Sequence, residues 1–250
     1  DHILPYSICL DSRSIYFDAK TPSDLEHLLQ THEFDQGMLA EAARIRQRII
    51  DQGLSKYNFL TERVHLPFGE KTRPRVLVIG QVEDDASIRY GATEGVTNND
   101  LVRLARAENP DAQVIYKIHP DVLAGKRAYQ SNPADVADIC QIHAESLPLR
   151  DAFDGVDRVY TITSLAGFEA LMRGIPVSCL GMPFYAGWGL TQDHATSASR
   201  TRKLSLNEVF AGAYLIYAKY LDPANGMALT PDEVIDKLSK EMEFHRLAAF

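Results

Sequence analysis

Apolar residues along this chain change texture at about residue 74. "PRVLVIG" (74–80) is a nearly continuous β-branched run, the pattern of a parallel strand covered on both faces. A helix is predicted at about 98–108, then a second strand at "AQVIYKIHP" (112–120). "VDRVYTIT" (156–163) gives a third strand, "SLAGFEALMRG" (164–174) its helix, and "PVSCLG" (176–181) a fourth strand. Strands alternating with helices at this interval predict βαβ units and a doubly wound parallel sheet of Rossmann type. Upstream, "YSICLDSRSIYFDA" (6–19) reads as a hairpin around a polar turn. "TPSDLEHLL" opens a helix with Thr21 or Ser23 as cap, and Met38, Ala42, Ile45 and Ile49 recur at helical spacing over 38–52. "GLSKYNFL" (53–60) then breaks the pattern, and 204–221 and 230–248 read as two closing helices. The division expected is 1–72, linker helices and the remainder of an amino-terminal half, and 73–250, a ligand-binding domain with carboxyl-terminal helices.

Composition narrows the function. A formal charge of −8 argues against a general nucleic-acid binder. Cys9, Cys140 and Cys179 are odd in number and far apart, which suggests neither a disulfide framework nor a metal site and fits a reducing compartment. No apolar run approaches the roughly 20 residues that span a bilayer. The chain starts at Asp1 without methionine or secretory signal, which reads as a piece of something longer.

In such a sheet, ligands sit beyond the carboxyl ends of the strands. Those ends are "GQVEDDAS" (80–87), "KIHPD" (117–121), "TSLAGFE" (163–169) and "GMPFYAGWG" (181–189), all polar or glycine-rich. Lys117 and His119 alternate onto one face before Pro120 stops the ladder, either a phosphate clamp or a satisfied histidine beside a surface lysine. Thr163 and Ser164 open a helix, either as an anion site or as a plain cap. Gly167 lets that helix approach the sheet or a ligand, and Glu169 is placed to reach a sugar hydroxyl. Glu83, Asp84 and Asp85 are a solvated turn or a carboxylate set for covalent, base or metal chemistry. If the strand period persists, Glu83 and Asp85 share a face and Asp84 opposes them. The loop around Trp188, the single tryptophan, is either a buried turn plugging one end of the sheet or a wall facing a sugar or base. There is no dinucleotide fingerprint, no phosphate-binding GK[ST] loop and no GxSxG elbow.

"GQVEDDASIRYG", "YKIHPDVLAGKR", "LSKYN" and "TSLAGFEALMRGIPVSCLGMPFYAGWGLTQD" together resemble the capsule polysaccharide biosynthesis family of the KpsC type, over nearly the whole chain. The resemblance implies a GT-B-like architecture, here with an incomplete amino-terminal half, and retaining transfer of β-Kdo from CMP-Kdo. No metal and no cofactor beyond that donor substrate is implied. The expected setting is the cytoplasm, or the cytoplasmic face of the inner membrane beside a capsule export complex, with a lipid-linked glycan as acceptor. The form "GQVEDDASI" is similar to the carboxyl-terminal of two tandem transferase modules.

Under the resemblance, His119-Pro120 meets the phosphate of CMP as an imidazolium, and Lys117, Thr163 and Ser164 hold the same group. Gln81, Gly167 and Glu169 join the donor site. Asp85 is the nucleophile, with Glu83 as the second catalytic acid. Arg89 or Lys126 pairs with the Kdo carboxylate, and Tyr185 and Trp188 wall the sugar. An "EDGF"-like segment belongs upstream of residues 6–19 in this family, so the chain is expected to hold the donor site without the full catalytic set. The alternative is a non-catalytic nucleotide-sugar-binding or assembly component of capsule synthesis and export. A sugar-nucleotide epimerase is a third, weaker reading.

Overall fold

The computed structural model describes residues 5–55, 64 and 67–248. Among them, β2 (Arg75–Ile79), β3 (Gln113–Lys117), β4 (Gln141–His143), β5 (Arg158–Thr161), β6 (Val177–Cys179) and β7 (Gln192–Asp193) form one wholly parallel sheet. Its order is β4-β3-β2-β5-β6-β7, so the two halves wind outward from the β2–β5 pair. Burial on both faces explains the unbroken apolar runs. Leu77 and Ile79 of β2 face a core shared with Ile115, Val159 and Phe168, whereas Val76 and Val78 face another shared with Val114, Tyr116 and Leu101.

Helix α4 (Asn98–Glu108) covers the second core, and its start is set by a capping box between Thr97 and Asp100. Helix α7 (Leu165–Met172) covers the first, capped by Ser164. Helix α1 (Asp24–Thr31) is capped by Ser23, and α2 (Gln36–Asp51) by Asp35. Helix α2 stops at Asp51, and Gly53 follows at φ 64°, where the pattern break was expected. Residues 56–60 of that break lie outside the described residues.

Three expectations need correction. Residues 6–19 form no hairpin: β1 (Ser7–Ile8) pairs antiparallel with β8 (Lys219–Tyr220), near the other end of the chain. The polar residues between take the backbone for local turns, Asp11 accepting from the N–H groups of Arg13, Ser14 and Asp24. The first closing helix is not a single α-helix. Helix α8 (Leu206–Phe210) passes into a π-helical segment, Ala211–Tyr217, before β8. Finally, β2 ends at Ile79 and the chain turns, with Asp85 N donating to Val82 O, so strand alternation never reaches the three acids. Helices α1 and α2 pack on α8 and the π-helical segment, and α2 also meets α9 (Pro231–Ala248). Leu25, Leu29, Ala42 and Ile45 thereby share one core with Phe168, Val209 and Ile235.

Candidate functional site

A cavity of about 490 Å³ opens beyond the carboxyl ends of β2, β3, β4 and β5. Gly80, Lys117, His119, Pro120, Lys126 and Ser164 contribute to its lining, with an apolar side from Ile79, Leu123 and Leu147 to Leu149. Lys117 is the last residue of β3 and only 4% exposed. Among the described residues no carboxylate pairs with it, and burial alone pushes its ammonium down to about 8. The same charge, after burial, helps to push the neighbouring His143 imidazole down. Lys117 is therefore a desolvated cation at the wall of an open cavity.

His119 caps the short helix α5 (Pro120–Leu123), its Nδ1 accepting from Asp121 N–H at 3.1 Å. The same Nδ1 lies 3.9 Å from a carboxylate oxygen of Asp121. Pro120 fills the first helical position, where its missing N–H costs nothing. Across the cavity Ser164 caps α7, its Oγ accepting from Ala166 N–H and its N–H donating to Thr161 Oγ1. The positive end of the α7 dipole thus faces the same space as Lys117 and His119. Lys126 stands at the rim, 72% exposed and 3.9 Å from Asp121.

The other candidates are placed differently. Gln81 is buried, its Oε1 accepting from Thr163 N–H, Ile162 N–H and Thr161 Oγ1 while its Nε2 donates to Thr163 Oγ1. Thr163 Oγ1 is further bonded to Ser87 Oγ, so both residues serve the turn before α7. Glu83 is not presented to the cavity. Its buried carboxylate accepts from Asn98 N–H, Gln130 N–H, Ser131 N–H and Ser131 Oγ. Asp84 is exposed and pairs with Arg127. Asp85 is exposed and caps α3 (Ala86–Gly91) through Ser87 N–H, near Tyr16, outside the cavity lining. Arg89, at the far end of α3, also stands outside that lining.

The aromatic loop is core rather than wall. Tyr185 and Trp188 are fully buried, with Trp188 Nε1 donating to Phe184 O and the Tyr185 hydroxyl donating to Ser164 O. Gly187 and Gly189, at φ 82° and 86°, make the turn that folds the indole inward. Arg200, unmarked in the sequence reading, locks it: the guanidinium donates to Pro183 O and Ala186 O, lies over the Trp188 ring and pairs with Glu26 of α1. Gly167 serves this packing, because a methyl there would run into the Tyr185 hydroxyl and the Thr161 methyl. Glu169 projects to the opposite side of α7, 3.8 Å from Arg173, and lines a separate cavity of about 510 Å³ with Tyr16, Tyr214 and Tyr217.

A parallel sheet in this order, with a desolvated cation and a capped helix start at its carboxyl edge, defines a Rossmann-type unit. The sequence profile of the capsule polysaccharide biosynthesis protein family matches residues 2–221, and the chain belongs to that family. The lipopolysaccharide-processing protein LpsZ of Rhizobium meliloti is 46% identical over 242 residues, 96% of this chain and 55% of that protein. The capsule polysaccharide modification protein LipA of Neisseria meningitidis serogroup A is 41% identical over 97% of this chain and 34% of its own. The chain thus spans about half the length of the first relative and a third of the second. Among solved structures, the KpsC beta Kdo 2,4 transferase of Thermosulfurimonas dismutans superposes with a TM-score of 0.84 at 36% identity, over 94% of this chain and 73% of that one. The fold is accordingly GT-B-like. Among the described residues no helix is long and apolar enough to cross a membrane.

Proposed function

We propose that this chain carries the donor site of a retaining glycosyltransferase that moves Kdo from CMP-Kdo onto a lipid-linked glycan during capsule synthesis. The observation that carries the reading is the cavity on which buried Lys117, His119 and the Ser164 start of α7 converge, with Asp121 on its rim beside His119 and Lys126. The CMP phosphate fills that place. Lys117 and the α7 dipole neutralise charge as the glycosyl–phosphate bond breaks, and His119 donates through Nε2–H. Pro120 and Ser164 hold the geometry, and Lys126 at the rim is better placed than Arg89 to pair with the Kdo carboxylate.

Retention follows from two displacements. The Asp85 carboxylate attacks the anomeric carbon, the bond to CMP breaks and its electron pair leaves on the phosphate. An acceptor hydroxyl then attacks the adduct, its proton passes to water, and Asp85 departs as carboxylate. Similarity to the KpsC transferase and the exposed position of Asp85 beside the Ser87–Thr163 contact support this choice. Glu83 is withdrawn from the catalytic pair, since its oxygens are already committed to four donors.

The test uses the full-length protein with CMP-Kdo and a Kdo-primed glycolipid. Asp85→Asn is expected to abolish transfer while CMP still binds, and Asp84→Asn to be far milder. Mass spectrometry of the trapped wild type is expected to show a Kdo adduct within residues 80–90. An adduct elsewhere, or near-normal turnover by Asp85→Asn, overturns the assignment. One observation favours a second reading, a nucleotide-sugar-binding or assembly component: Asp85 stands outside the cavity lining. CMP binding without any transfer or adduct would select it.

A further inference from the structure

The residues leaving β2 reach both walls of the cleft. Gln81 fastens the turn that carries Ser164, through Thr161, Ile162 and Thr163. Glu83 fastens the chain that returns from α5, through Gln130 and Ser131, a few residues beyond Ala124 and Lys126 of the opposite wall. Asn98, the first residue of α4, joins the two. Its side chain accepts from Gln81 N–H at 2.9 Å and donates to Gln81 O at 2.8 Å, while its own N–H donates to Glu83 Oε1 at 2.6 Å. All three are buried, and with His119 they border one small void of about 10 Å³. Among the described residues no cation pairs with Glu83. A buried carboxylate held only by neutral donors persists when those donors are fixed, and it fixes them in return.

We propose that Gln81, Asn98 and Glu83 are positioning residues forming a brace that sets the separation of the His119 wall from the Ser164 wall. The cleft then grips a phosphate from two sides without first having to order either one. The ligand in this statement rests on the nucleotide-sugar reading above; the brace itself does not.

The experiment therefore has two arms on the full chain. Hydrogen exchange without ligand follows amides outside the brace: Leu123 at the end of α5 and Ala124 after it, and Gly167 in α7. Glu83→Gln is expected to speed exchange in α5 by about tenfold with α7 unchanged, Gln81→Leu to do the reverse, and Asn98→Ala to loosen both. Calorimetry with CMP is expected to show about tenfold weaker binding for each variant, with Glu83→Asp recovering part of the loss for its wall. Unchanged exchange in α5 and α7, or a uniform loosening of the whole sheet, overturns the brace. Should Glu83→Gln fail to fold, Ser131→Ala tests the same wall, since it removes one donor to Glu83 and leaves the three backbone donors in place. A wild type that ignores CMP brings down the donor-site reading, and the exchange arm still decides the brace.

Discussion

Lys117 holds its charge almost wholly out of water, and among the described residues no carboxylate pairs with it. Its folded pKa, down to about 8, lies below the ordinary lysine value of 10.5, so the folded chain holds fewer protons than the unfolded chain between the two. Stability contributed by this group therefore rises as pH climbs from about 8 to 10.5, and Lys117→Met is expected to flatten that rise in urea melts. Anion binding has the opposite sign. A bound phosphate favours the ammonium, so CMP affinity is expected to hold from pH 7 to about 8 and to fall above it, a decline that Lys117→Met removes. Affinity that stays level through pH 9 in the wild type would contradict this placement. For His119, replacement by alanine removes one hydrogen bond to a charged group, and CMP is expected to bind about 1.5–3 kcal/mol more weakly while the melting temperature stays close to wild type. A variant that unfolds yet binds normally when folded would make His119 a structural cap alone.

Among the elements, those with local causes were legible. β2, β3, β5 and β6 show as apolar runs because both faces are covered, and α4 shows to the residue because Thr97 and Asp100 mark its start. β4 and β7 are short edge strands with polar residues such as Gln141 and Gln192, and carry no such signal. Pairing of β1 with β8 depends on chain more than two hundred residues away. The aromatic loop was legible as special but not in its direction, because burial of Trp188 is decided by Arg200 and α7 rather than by its own sequence. Asn98 is the first residue of α4, and only the fold brings it to Gln81 and Glu83. The packing of α7 on this loop gives a direct check. Gly167→Ala is expected to cost about 1–3 kcal/mol by overpacking against the Tyr185 hydroxyl, and Tyr185→Phe, which removes that oxygen, to recover part of the loss in the same background. An alanine variant as stable as the wild type would show that the helix does not press on the loop.

At the scale of the molecule, the expected boundary near residue 72 is crossed by a common core: α1 and α2 lie on the carboxyl-terminal helices, and Arg200 ties α1 to the aromatic loop. Trp188 sits at that junction, fully buried and the only tryptophan in the sequence. Its emission is therefore expected to report the same urea transition as far-ultraviolet circular dichroism, with one shared midpoint. Two separated transitions would mean that the amino-terminal helices fold apart from the sheet. The account of function turns on what fills the cleft beside Lys117, and isothermal calorimetry with CMP, UDP and GDP, repeated as melting curves, measures that most directly. CMP is expected to bind and to raise stability by roughly 2.7 kcal/mol at a hundredfold excess over its dissociation constant, with UDP and GDP leaving the melting temperature where it was. Equal shifts from UDP, or no shift from CMP, would contradict the account.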